Sequence, residues 1–146
     1  MRLLLDTQVA LWWLTASPRL SKSSRELMVS SPCAVSVASI WEVALKHRLG
    51  KLPIAPARFR DEMRSAGATV LSVTDEHVLT RVKAAESHRD PFDRLLLSVA
   101  EAENLVLLRR TPRSSHLGAR NRVFPSGTRN NFPNRFNWNP GRSAST

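Results

Sequence analysis

Four short apolar runs, separated by segments with helical punctuation, constrain this chain more than any other feature. Residues 2–6, 33–37, 69–73 and 105–108 are rich in Leu, Val and Ala and are bounded by turn formers, as strands buried on both faces are. Between them the pattern changes period. Thr7 is placed to cap a helix that continues through Leu14 and stops at Ser17-Pro18. Residues 21–30 form a second helix, with Leu27 and Met28 turned inward. A third, over 39–48, gathers Ile40, Val43 and Ala44 on one face. Its Lys46 and Arg48 suit the helix dipole, and Gly50 is a natural C-cap. Pro56 opens a helix to residue 64 from its first turn. Thr74 or Asp75 opens one over 75–87, and Pro91 introduces one through 103. Strands alternating with helices predict an α/β fold: a mainly parallel sheet of about four strands, covered on both faces.

Composition narrows the function classes. At 146 residues, 42% hydrophobic and 23% charged, the chain is one globular domain in size and character, neither disordered nor fibrous. No apolar stretch approaches the ~18 residues of a membrane span. The N-terminus meets Asp6 at once, unlike a signal peptide. A single cysteine, Cys33, cannot form an internal disulfide, so a cytoplasmic location with no membrane partner is expected. At the start of a buried strand, Cys33 reads as core rather than nucleophile. His47, His77 and His88 lack metal-ligand spacing and read as surface residues. Trp12 and Trp13 cannot share a helix face, so one packs inward and the other is partly exposed.

Three acids fall where a parallel sheet gathers its ligands, beyond the carboxyl ends of the strands. Asp6 ends the first strand, Glu42 lies one turn into the helix after the second, and Asp93 lies near the start of the helix leading to the fourth. Carboxylates brought together repel unless a cation neutralises them. Hard oxygen ligands select Mg²⁺ or Mn²⁺, whose chemistry beside a phosphodiester is that of a nuclease. Each acid also has a purely structural reading. Asp6 can N-cap the first helix, and Ser39-x-x-Glu42 fits a capping box. Asp90 and Asp93 are both favoured in a first helical turn; Asp90 is the better cap and Asp93 the better ligand.

Taken together, Leu4-Leu5-Asp6-Thr7, Leu11-Trp12-Trp13-Leu14, Ser36-Val37-Ala38-Ser39-Ile40-Trp41-Glu42-Val43 and His88-Arg89-Asp90-Pro91-Phe92-Asp93-Arg94-Leu95-Leu96 resemble the PIN-domain ribonucleases. Among these, the VapC-like toxins of bacterial toxin–antitoxin pairs are the nearest in pattern. Lys46 with Leu49-Gly50-Lys51-Leu52 also looks like the family's segment after its second acid. The resemblance spans residues 2–108. It implies a three-layer α/β/α fold and a Mg²⁺-dependent endoribonuclease, acting on RNA and held inactive by a cognate antitoxin; a homodimer is a further expected partner. Carried over, Asp6, Glu42 and Asp93 are the catalytic and metal-site acids, with Mn²⁺ an alternative ion. Thr7, Ser39 and Asp90 are supporting groups. From position alone, Arg89 and Arg94 flank the third acid and are candidate contacts to RNA phosphates.

The resemblance fails after the fourth strand. Relatives usually continue with Thr-x-Asp, whose acid completes the metal cluster, whereas this chain reads Arg109-Arg110-Thr111-Pro112. The change in composition is abrupt. Residues 1–108 carry 14 basic and all 12 acidic residues; residues 109–146 carry eight Arg, four Pro and six Asn, with no Lys and no acid. A lost base accounts for both departures: ACG GCG GAC CCC encodes Thr-Ala-Asp-Pro, and without its first base it reads Arg-Arg-Thr-Pro. The expectation is a PIN-like domain over 1–108, lacking its last helix and strand, followed by a disordered tail over 109–146. Two other readings stand beside it: an inactive PIN remnant that still binds antitoxin, and an RNA-binding protein acting through the basic tail.

Overall fold

The computed structural model describes residues 1–82 and 89–110, together with the backbone of residues 123–124. Strands β1 (Leu3–Leu5), β2 (Cys33–Ser36), β3 (Thr69–Leu71) and β4 (Val106–Arg110) form the expected parallel sheet. A two-residue strand, β5 (Val123–Phe124), joins its edge, giving the order β3-β2-β1-β4-β5. Leu4 pairs with Ala34 on one side and Leu107 on the other. β4 runs two residues past Leu108, and those two arginines pair with β5.

The two faces of the sheet are separated by the period of the strands. Leu3, Leu5, Val35 and Leu108 point to one side. There they pack against α1 (Thr7–Leu14), α2 (Lys22–Ser30), α3 (Val37–Arg48) and α4 (Pro56–Ser65), through Val9, Met28, Val43, Phe59 and Met63. Leu4, Ala34 and Leu107 point to the other side, against Leu96, Leu97, Val99 and Ala100 of α6 (Pro91–Ala102). Adjacent residues of one strand thus feed two cores, which is the α/β/α layering. Trp12 is buried and Trp13 is half-buried, as helical spacing requires. Among the described residues, no helix is long and apolar enough to cross a membrane.

Four helices stop in the same way. In each, a residue at positive φ lets two successive amides turn back onto the last carbonyls. After α3, Gly50 (φ 71°) and Lys51 donate to His47 and Lys46; after α4, Gly67 (φ 89°) and Ala68 donate to Arg64 and Met63. Asn104 (φ 53°) ends α6 and aims the chain into β4. After α1 the position is filled by Ala16 (φ 50°), a residue with a Cβ where glycine is preferred.

Two expectations are corrected. The helix over 75–87 is α5 (Asp75–Leu79), five residues long. Its end follows from Thr80, whose amide and hydroxyl both donate to the Glu76 carbonyl, at 3.0 and 2.7 Å, while its backbone turns extended. Residues 83–88, with His88, lie outside the described residues, as does His116. His77 is not a surface residue: it is 2% exposed. Its Nδ1 accepts the Thr74 amide in the box that starts α5, and its Nε2 lies 2.7 Å from Glu103 Oε1. Two fixed partners make an imidazole a satisfied core group.

Candidate active site

Parallel strands bring the carboxyl ends of β1, β2 and β4 to one rim, and Asp6 sits where β1 becomes α1. Its amide donates to the Leu108 carbonyl of β4 at 3.0 Å. Its Oδ1 caps α1 by accepting the Val9 amide at 2.6 Å, and its Oδ2 accepts the Arg110 amide at 3.4 Å. The structural reading of Asp6 as an N-cap is therefore realised, and Thr7, expected as the cap, is the first residue inside the helix. Burial pushes the Asp6 carboxyl up to about 6 from an ordinary 3.8. The two amides oppose that rise, while the negative charges of Asp93 and Glu42 add to it. Asp6 thus feels both of the other acids through space.

Thr7, freed from capping, points across to α3. Its Oγ1 lies 2.9 Å from Ser39 Oγ and 2.5 Å from Glu42 Oε2. Thr7 is the donor in both contacts, so its single proton is shared between the Glu42 carboxylate and the Ser39 hydroxyl. The capping-box reading of Ser39 and Glu42 is overturned. Ser36, the last residue of β2, caps α3 by accepting the Ala38 amide, which leaves Ser39 inside the helix and Glu42 free to reach sideways. Glu42 is 8% exposed, and its other oxygen, Oε1, receives Lys46 Nζ at 2.6 Å. Both carboxylate oxygens are engaged.

Asp93 lies half-buried in the first turn of α6, one turn inside the cap. Asp90 is that cap, accepting the Phe92 amide at 2.8 Å, as its position before Pro91 predicts. Arg89 and Arg94 are exposed on either side of this turn. An aromatic contact ties the two acid-bearing helices together: Trp41 and Phe92, each immediately before an acid, meet edge to face with centroids 5.7 Å apart. Neither this contact nor the hold of Lys46 on Glu42 was anticipated. The second had a signal in the sequence, the Glu-to-Lys spacing of one helical turn. The first had none, because it joins residues on separate helices.

The donors fit a hard divalent cation in kind, being carboxylate oxygens, with the charges of Glu42 and Asp93 adding to the proton affinity of Asp6. They are not drawn into a cage: among the described residues, no group of three or more His, Cys, Asp or Glu could hold a metal ion. That is compatible with Mg²⁺, which is usually bound through one or two carboxylates and keeps several waters. Cys33 stands apart from this chemistry. Burial pushes its thiol up to about 11, and it donates to the Met28 and Ser31 carbonyls, so it is no nucleophile.

The PIN domain family model matches residues 3–112, from the first strand to just beyond the fourth. The chain belongs to the PIN-domain family. PIN domains are in general divalent-metal-dependent nucleases. The solved structures that this PIN domain resembles include a toxin–antitoxin complex from Klebsiella pneumoniae, at 15% identity and TM-score 0.51, covering 75% of this chain and 87% of that one. VapBC2 from Rickettsia felis, bound to a DNA fragment from their promoter, matches at 16% identity and TM-score 0.52, with the same coverage. DNA-bound VapBC from Salmonella typhimurium matches at 16% and 0.51, over 74% of this chain and 85% of that one. At these identities the likeness is one of fold. No curated protein sequence matches this PIN domain.

Proposed function

We propose that this PIN domain is a Mg²⁺-dependent endoribonuclease, the toxin of a cytoplasmic toxin–antitoxin pair, with Mn²⁺ able to replace Mg²⁺. The observation that carries the reading is Asp6: a buried carboxylate fixed to β1, α1 and β4 at once, within the fields of Glu42 and Asp93, inside a PIN-domain match. Asp6 and Asp93 would hold the cation, and Glu42 would hold it or orient the attacking water. When bound, such an ion lowers the pKa of water and offsets charge building on the leaving oxygen. The chain's own part is positioning. Thr7 and Ser39 fix the Glu42 side chain; Trp41 and Phe92 keep its helix against that of Asp93; Arg89 and Arg94 face solvent, where RNA phosphates would approach.

Two structural neighbours carry VapBC names and the third is called a toxin–antitoxin complex, which supports an antitoxin as the partner. Asp6→Asn and Asp93→Asn are expected to abolish Mg²⁺-dependent RNA cleavage while leaving the circular dichroism spectrum intact. Cleavage that survives both substitutions, or proceeds equally in EDTA, refutes the mechanism.

A second reading is favoured by one observation: no acid follows Glu103 in the sequence, so the carboxylate usual after β4 has no counterpart here. In that reading the domain over 1–108 is an inactive remnant that still binds antitoxin, and 109–146 is a frameshifted tail. Antitoxin binding without cleavage would select it. A neighbouring reading frame that continues as Thr-x-Asp after codon 108 would establish the origin of the tail. RNA binding lost on deleting residues 109–146 would instead select a basic RNA-binding extension.

A further inference from the structure

Among the described residues, ion pairs that join positions one helical turn apart are not all alike. Lys22–Glu26 and Arg58–Glu62 are 3.7 Å contacts between solvated side chains, 54%/57% and 42%/30% exposed. Pairs of that kind contribute little. Lys46–Glu42 closes to 2.6 Å, and its partners are unequal: the Lys46 side chain is 45% exposed and that of Glu42 is 10%. Lysine here reaches in from solvent onto a buried carboxylate whose other oxygen is already taken by Thr7. A divalent cation drawn to Glu42 Oε1 meets an ammonium ion already on that oxygen, and the two positive charges compete for it. That ammonium has a flexible stem, is half in solvent, and stands beside Glu42.

We infer that Lys46 is an exchangeable counter-ion of the acid site: it neutralises Glu42 while the metal is absent, and it turns to an RNA phosphate when the metal takes Glu42. The inference rests on the ribonuclease reading above and extends it. Metal and RNA would then bind with positive coupling through this chain's own side chain, beyond any direct contact between ion and phosphate. Lys46 is in this sense a positioning residue whose charge is spent on one partner at a time.

The test uses the full chain and two probes, Mn²⁺ alone and a single-stranded 2′-O-methyl oligonucleotide that cannot be cleaved. Lys46→Met keeps the stem and removes the charge. By calorimetry it should bind Mn²⁺ about tenfold more tightly than wild type, because the competing charge-assisted hydrogen bond is gone. Oligonucleotide affinity is then followed against salt. In saturating Mn²⁺ the wild-type slope of log K on log salt should exceed that of Lys46→Met by about 0.7, one phosphate contact on a single strand. In EDTA the two slopes should coincide, and Lys46→Arg should restore the Mn²⁺-dependent difference. Equal or weaker Mn²⁺ binding by Lys46→Met overturns the inference, since Lys46 would then support the acid rather than compete for it. Metal-linked oligonucleotide binding that Lys46→Met leaves unchanged overturns it as well, without touching the ribonuclease reading. A wild-type protein that binds Mn²⁺ but no oligonucleotide removes that reading first, and this inference with it.

Discussion

Thr7 Oγ1 stands 2.5 Å from Glu42 Oε2, although 35 positions separate them in the chain. The contact joins the start of α1 to the second turn of α3, and both groups are buried. It makes the first helix of the fold a direct support for the second acid of the proposed site.

Removing that support should cost stability. Thr7→Val keeps the shape of the side chain but leaves a buried carboxylate oxygen without its donor. A loss of about 1–3 kcal/mol is expected from urea unfolding. Thr7→Ser, which retains the hydroxyl, should recover most of it. A Val variant as stable as wild type would show that water replaces the Thr7 hydroxyl.

The acidity of Asp6 gives a pH signature with a definite sign. Its folded-state pKa, about 6, lies above the ordinary 3.8. The native state therefore holds that proton over a wider range than the unfolded chain. The stability from this group is fully present below about pH 4 and is lost as pH rises through 6. Asp6→Asn, whose amide oxygen can still cap α1, should remove this slope. The check is the difference in urea midpoint between variant and wild type from pH 4 to 7. At sub-saturating metal, cleavage should run the other way in the wild type, rising with pH as the carboxylate ionises to meet a cation. A midpoint difference that does not change with pH would place the Asp6 carboxyl at its ordinary value.

Ala16 offers a test of the backbone alone. A left-handed conformation costs a residue with a Cβ about 1–2 kcal/mol, and glycine offsets that with about 0.5–1 kcal/mol of extra chain entropy on folding. Ala16→Gly should therefore stabilise the domain by roughly 0.5–1 kcal/mol, with an unchanged urea m-value. A destabilised variant would mean that the Ala16 methyl makes contacts worth more than the strain.

Much of this architecture was legible because it depends on period and punctuation. The strands announced themselves as apolar runs, and Gly50 and Pro91 marked a helix end and a helix start that are present. The choice between Asp90 as cap and Asp93 one turn inside followed from the first-turn geometry around Pro91. What escaped was decided by partners distant in sequence. Ser39 and Glu42 have the spacing of a capping box, but Ser36 lies one turn earlier and takes the cap, so the same two side chains face Thr7 instead. His77 looked like any polar helix residue, and only the return of the chain at Glu103 encloses it. Arg109 reads as the first residue of an abnormal tail, yet it is 8% exposed as part of β4, because that strand continues past the apolar run and pairs there with β5. Local pattern carried the elements; the pairing of side chains between elements had to be seen.

The central position of β1 has a consequence in time. Asp6 is held by the carbonyl of Leu108 and the amide of Arg110, the latter 104 positions away. A ribosome delivers the sixth residue early and those partners about a hundred peptide bonds later, and contacts so distant along the chain form late in folding. Until β4 has emerged, Asp6 lacks these two partners and one edge of β1 is unpaired. The acid rim therefore takes its final form only once β4 has been made.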